Sequence, residues 1–318
     1  MKKMLIKGFI FILIILTPLL YANYRYKNTN YYRQLNGLGK FRVIPKGIEV
    51  LNLGNSHEQC GIIYDNNIDK KGYNLALESQ PFEYGSNILE YYSEYLDEGA
   101  TVIIPISYFD WYYNYEEIFN SGISVYNERY YSILDKEYMM DYELQKDILY
   151  NKFPLLTAGK DMKYIFEDIS WSSKSTYDAD EIDIEFINYK ADYKYKNWTQ
   201  EVMATNQDEK EKVKNRNIKY LEKTINFCYD KGYKPVLVTS PITKQLDDKF
   251  SEEFKRDFLN NCYDILKKYP KLQYFNYCGL KAFSDSLELF VDADHLNTDG
   301  ANAFSKRLFA DLQKAGLL

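Results

Sequence analysis

The chain has 318 residues, a formal net charge of −6 and a sequence pI near 5.3. That length suits one large α/β domain carrying an insertion, and Lys and Arg interleaved with acids lack the concentrated basic face that nucleic acid requires, so nucleic acid is excluded as a partner. Cys60, Cys228, Cys262 and Cys278 show no CxxC and no metal-ligand spacing, so no metal site or cofactor is readable and their pairing stays open.

In chain order, Met1-Lys2-Lys3 and Lys7 precede an almost wholly apolar run from Gly8 to Ala22. A basic flank followed by an apolar run is a membrane-targeting signal that leaves the basic end in the cytoplasm and exports the rest. Leu20-Tyr21-Ala22 is a poor cleavage site, so residues 1–22 read as a retained single anchor in preference to a cleaved signal. Residues 23–45 are polar and Tyr-rich and read as a stalk. The 33 tyrosines of the chain accompany many Lys, Asn and Ile, which points to compositional bias before any sugar-stacking surface.

Residues 46–318 read as the domain proper. Ile48 to Leu53 is a strand that breaks at Gly54-Asn55, which puts Ser56 in the first turn of a helix. A second strand is expected at Tyr73–Leu77, a helix over Asn87–Leu96, and a third strand at Ala100–Ser107, apolar throughout as suits a parallel strand buried on both faces. From about residue 111 to 216 the alternation fails, with short helical patches such as Tyr138–Leu149. This helical, Tyr-rich insertion is expected to lie as a cap over the carboxyl ends of the strands. Its acids Asp178, Asp180, Glu181, Asp183 and Glu185 read as a solvated face, since no Gly-bearing calcium loop is present. Alternation resumes with a helix over Asn217–Lys231, a strand from Lys234, a helix over Glu252–Lys268, a strand at Leu272–Tyr277 and a C-terminal amphipathic helix. The fold class is α/β: a three-layer α/β/α arrangement around an open, mostly parallel sheet of about five strands.

The chain has two histidines, His57 beside Ser56 and His295 just before the last helix. A serine hydroxyl becomes a good nucleophile when an imidazole takes its proton and a carboxylate holds the imidazole's other nitrogen. Asp292 lies three residues before His295, near enough for a turn to bring it to Nδ1. Asp294 is the competing carboxylate, although adjacent side chains tend to diverge.

Gly54-Asn55-Ser56 near the start of the domain and Asp292-x-x-His295 near its end resemble the first and last motif blocks of the SGNH (GDSL-like) hydrolase superfamily, over about residues 46 to 315 with the insertion unmatched. Asp-x-x-His-Leu-Asn together with the N-terminal anchor is closer to its branch of bacterial cell-surface acyl-transfer proteins, including DltD-like proteins of teichoic acid D-alanylation and polysaccharide O-acetylation proteins. The resemblance implies a flavodoxin-like sheet, Ser56 as nucleophile, His295 as general base and Asp292 as its orienter. The superfamily's oxyanion-hole glycine and asparagine are missing, since the matching places read Leu77-Glu78-Ser79-Gln80 and Ser107-Tyr108-Phe109-Asp110. The donors expected instead are the N–H of Ser56 or His57 with Ser79 or Gln80. His57 should aim away from the Ser56 hydroxyl, making a structural hydrogen bond or touching the acceptor.

The function so implied is acyl transfer outside the cell, from an acyl donor through acyl-Ser56 to a cell-envelope glycopolymer, with no cofactor and with a multi-span membrane acyltransferase as a candidate partner. Two other readings use the same sequence: an esterase or deacylase with water as acceptor, and a weakly catalytic scaffold for a membrane acyltransferase.

Overall fold

The structure is a computed structural model that describes residues 2–114, 125–169, 183–201 and 207–318. The chain divides into two compact units, one of Met1–Ile44 with Asn127–Lys174 and the other of Pro45–Tyr126 with Ser175–Leu318.

In the first unit, α1 (Lys2–Lys27) is long and apolar enough to cross a membrane: its 26 residues span about 39 Å at 1.5 Å per residue. The helix runs five residues past Ala22, and its end is buried through Asn23 and Tyr26. Thr29 then caps the short α2 (Asn30–Gln34) by accepting from the Tyr32 N–H at 3.2 Å. Tyr26 and Tyr32 share a small core with Leu155 and Ala158. Residues 23–45 therefore differ from the stalk read from their polarity: their tyrosines pack on a segment more than a hundred residues downstream. Within 138–149 the helical patch resolves into short turns of helix, Lys136–Tyr138 and Leu144–Asp147, followed by Ile148–Lys152.

The second unit is built on a five-stranded sheet, β1 (Ile48–Asn52), β2 (Gly72–Asn74), β3 (Leu96–Pro105), β4 (Lys234–Thr239) and β5 (Gln273–Asn276). All neighbouring strands are parallel, in the order β2-β1-β3-β4-β5. The chain thus steps one way from β1 to β2 and the other way to β3, which leaves a crevice beyond the carboxyl ends of β1 and β3. Because side chains alternate across a strand, Val50, Ile103, Val236 and Val238 share one face, and there they pack with Phe304, Leu308 and Leu312.

Among the described residues, the α-helices of six or more residues in this unit are α3 (Ser56–Gly61), α4 (Phe82–Tyr91), α5 (Ile184–Lys196), α6 (Gln207–Asp230), α7 (Glu252–Lys268) and α8 (Thr298–Lys314). The apolar stripe of α8 supplies the residues just named, while α6 packs on β4 and α4 packs on α6. Several boundaries differ from the sequence expectation. Helix α4 starts at Phe82 and ends at Tyr91, earlier than the expected Asn87–Leu96, because Pro81 serves as its N-cap. β3 begins at Leu96, ahead of the expected Ala100, since Asp97-Glu98-Gly99 forms an irregular stretch of the ladder with β1. β2 ends at Asn74, with Leu75–Leu77 buried beyond it. Of the acidic stretch, Asp178, Asp180 and Glu181 lie outside the described residues, and Asp183 is the N-cap of α5, accepting from the Phe186 N–H at 3.0 Å.

Candidate active site

The turn after β1 is held by its own residues. Gly54 has φ +134°, and a Cβ there would run into the Glu58 side chain. Asn55 caps α3 by accepting from the His57 N–H at 3.0 Å, and Glu58 answers by accepting from the Asn55 N–H at 3.2 Å, a complete capping box. Glu58 is itself fully buried and accepts from the Ser240 hydroxyl at 2.7 Å, which ties the turn after β1 to the end of β4. Burial raises the Glu58 carboxyl above the ordinary range. Asp110, after β3, is also raised by burial, and its Oδ2 accepts from the Ser107 N–H at 2.6 Å.

The second contribution comes from the loop before α8. Asp292 Oδ1 accepts from the N–H groups of Asp294 at 3.1 Å and His295 at 2.9 Å, a side-chain turn that folds the loop back on itself. The Ala293 carbonyl accepts from both the N–H and the hydroxyl of Thr243, anchoring the loop to the segment after β4. Asn297 caps α8 by accepting from the Gly300 N–H at 2.9 Å. Gly300 leaves room for the Leu289 carbonyl that a side chain would strike.

These two pieces bring Ser56, His295 and Asp292 into one line. Ser56 Oγ lies 2.9 Å from His295 Nε2, and His295 Nδ1 lies 3.0 Å from both Asp292 oxygens. With Nδ1 donating to Asp292, Nε2 is the acceptor for the serine hydroxyl, the tautomer that the network assigns. Such an arrangement can move a proton from Ser56 to an imidazole whose positive charge a carboxylate then stabilises.

Asp294 does more than diverge. Its side chain is fully buried, and its Oδ2 lies 3.0 Å from His57 Nε2 and 2.7 Å from Lys194 Nζ, while its Oδ1 stands 3.4 Å from His295 Nδ1. Burial opposes ionisation of this carboxyl, but His295, Lys194 and His57 outweigh it and hold the group well below the carboxylate range. For His295, burial opposes the charged form, yet Asp294 and Asp292 together raise its pKa above the ordinary 6.5. His57 turns to Asp294 and not to the Ser56 hydroxyl, with its ring edge-on to His295 at 5.4 Å between centroids. His57, Asp294 and His295 place three donor atoms within 4.8 Å of one another, but Lys194 already balances the carboxylate, so a cation would have to displace an ammonium group.

A cleft of about 70 Å³ opens at Ser56. It is lined by Asn55, His57, Ser79, Phe109, Lys194 and Trp198 among others. Ser79 stands at φ +50°, a left-handed conformation that is uncommon for serine and worth a functional reading at a cleft wall. Gln80 does not reach this cleft. Its buried amide lines an adjoining void with Asn55 and Asp110 and has no partner there among the described residues. The His57 N–H is likewise spent on Asn55, so of the backbone donors expected at this turn the Ser56 N–H is the one left to face a ligand.

Sequence reasoning missed Lys194 and Trp198, which α5 and the turn after it bring to the cleft from within the insertion, and Phe109 after β3. Phe109 and Trp198 pack at 4.7 Å between centroids, and Trp198 stacks on Phe250. No spacing signal marks these residues. The four cysteines are free thiols, with Cys60, Cys228 and Cys262 buried. Comparison with protein-family models gives no match for this chain, and comparison with curated proteins gives none either.

Proposed function

We propose that this chain is a membrane-anchored, extracytoplasmic acyltransferase of the SGNH type, which moves a small acyl group such as acetyl or D-alanyl through acyl-Ser56 to a hydroxyl of a cell-envelope glycopolymer. The observation that carries the reading is the Ser56–His295–Asp292 line at the carboxyl end of β1. Ser56 Oγ attacks the donor's carbonyl carbon while His295 Nε2 takes the hydroxyl proton. The same proton passes to the departing group as the C–O bond to it breaks, leaving acyl-Ser56. The acceptor hydroxyl then repeats the sequence, giving its proton to His295 and releasing Ser56.

The Ser56 N–H, in the first turn of α3, and Ser79, in the wall of the same cleft, are the donors this reading assigns to the charge that develops on the carbonyl oxygen. The cleft's small volume favours a short acyl group. Its aromatic wall of Phe109 and Trp198 favours transfer over hydrolysis by limiting water at the acyl-enzyme. The apolar α1 supports the anchor.

The full chain in detergent, given an activated acetyl ester with and without a polyol acceptor, tests this reading. Acetyl-Ser56 should be trapped by mass mapping, and the acceptor should speed its decay into acetylated polyol. Decay to acetate alone, unchanged by acceptor, would make the chain an esterase, and the absence of any acetyl-Ser56 would sink both enzyme readings.

A further inference from the structure

α1 presents apolar side chains from Met4 to Leu20 outward, and Tyr21 and Tyr24 beyond them are 61% and 64% exposed. Amphipathic rings at the end of an apolar helix mark the level of the lipid headgroups. The first buried residue, Asn23, stands at this level. Its Nδ2 donates to the Lys152 carbonyl at 2.8 Å and its Oδ1 accepts from the Leu155 N–H at 3.2 Å. One turn further on, Lys27 Nζ donates to the Asn151 carbonyl at 2.8 Å. The segment 151–155 therefore runs back along α1 towards its apolar part as the residue number rises.

The side chains that follow divide between two surroundings. Leu155 and Ala158 join the core with Tyr26, and Ile165, Tyr31 and Ala22, the last residue of the apolar run, each pack against that core. Leu156, Met162 and Phe166 face outward at 64%, 47% and 88% exposure. They lie on or just after two short helices, Pro154–Thr157 and Gly159–Ile165, that pack on α1. Lys152, Lys160 and Lys163 are exposed on the same segment. One exposed leucine needs no explanation, but three large apolar side chains interleaved with lysines at the mouth of a membrane-length helix form an interfacial pattern.

We propose that Leu156, Met162 and Phe166 enter the interfacial layer of the bilayer that α1 crosses, with Lys152, Lys160 and Lys163 meeting the headgroup phosphates. The first unit is then a seat that fixes the angle at which the chain leaves the membrane. The proposal rests on reading α1 as a retained span. The occupant is lipid, because the patch continues the lipid-facing surface of α1 and its lysine stems can lie along the apolar boundary with their charges outward.

The test uses the full chain in vesicles of phosphatidylglycerol and phosphatidylethanolamine, with a benzophenone amino acid placed in turn at Leu156, Phe166, Phe11 in α1 and the exposed Tyr263 of the second unit. After irradiation, lipid adducts at 156 and 166 should exceed those at 263 by about tenfold or more and approach those at 11. Adducts at 11 without adducts at 156 and 166, or equal yields at 156, 166 and 263, would overturn the seat and leave the anchor standing. No adduct at 11 would overturn the anchor and the seat together. Because no other protein is present, a patch built for a membrane-protein partner would give the first of these negative results.

Discussion

Replacing Asp292 by Asn keeps an oxygen that can accept from the Asp294 and His295 N–H groups but removes the charge facing His295 Nδ1. The rate of Ser56 acylation should fall by about 10⁴-fold, the scale set by loss of the right imidazole tautomer in Ser-His-Asp sites. Melting temperature should change little, and serine-directed fluorophosphonate labelling beside a thermal melt reads both. Asp294→Asn acts elsewhere, because it leaves the Lys194 ammonium without its 2.7 Å partner. Loss of one member of a buried ion pair costs about 3–5 kcal/mol, so this variant should lose stability in denaturant while retaining more labelling per folded molecule than Asp292→Asn. A pH profile separates the two carboxylates further. His295 works as a base only when neutral, and its raised pKa puts the fall in labelling rate, as pH decreases, at an inflection above 6.5. Asp294→Asn should move that inflection down, and an unmoved inflection would contradict the field assigned to Asp294. The two-histidine, two-aspartate concentration was legible in sequence from spacing alone. That Asp294 bridges His57 and Lys194 was not, because Lys194 comes from an insertion without periodic pattern.

At the scale of elements, α3 has six residues and depends on its cap more than on its length. Asn55→Ala removes the bond to the His57 N–H and should cost about 0.5–2 kcal/mol in chemical denaturation, with a larger proportional loss of labelling because the same turn aims Ser56. Wild-type stability in that variant would mean the box is ornamental. Strand–turn–helix order was readable here because apolar runs, Gly54 and Gly232 punctuate it, and α7 matches its expected span from Glu252 to Lys268, where the Ser251 cap and the stripe through Phe258, Cys262 and Ile265 agree. Boundaries failed where an element extends without an apolar stripe or where a neighbouring strand offers a partner. α6 starts at Gln207, ten residues before the expected Asn217, in a run of Glu and Lys that forms helix readily but carries no apolar stripe. β3 takes in Asp97 and Glu98 because β1 offers a partner at Ile48.

For the whole molecule, the sheet's parallel order and its crevice follow from the alternation of strands and helices, and the core face they share with α8 converges on Phe304. Phe304 is fully buried against Tyr277 and Phe283, so Phe304→Ala should cost about 3–5 kcal/mol and loosen the loop that carries Asp292 and His295 just before α8. The pairing of residues 1–44 with 127–174 in one unit was not legible, since side-chain bonds such as Asn23 to Lys152 span a sequence separation of 129 and leave no local pattern. Every catalytic role proposed for His295, Asp292 and the cleft depends on Ser56 being a nucleophile. The most direct measurement is fluorophosphonate labelling of the folded full chain with mass mapping of the adduct: a single adduct on Ser56 is expected, lost on unfolding and in His295→Ala. No adduct on Ser56, or equal labelling after His295→Ala, would contradict it.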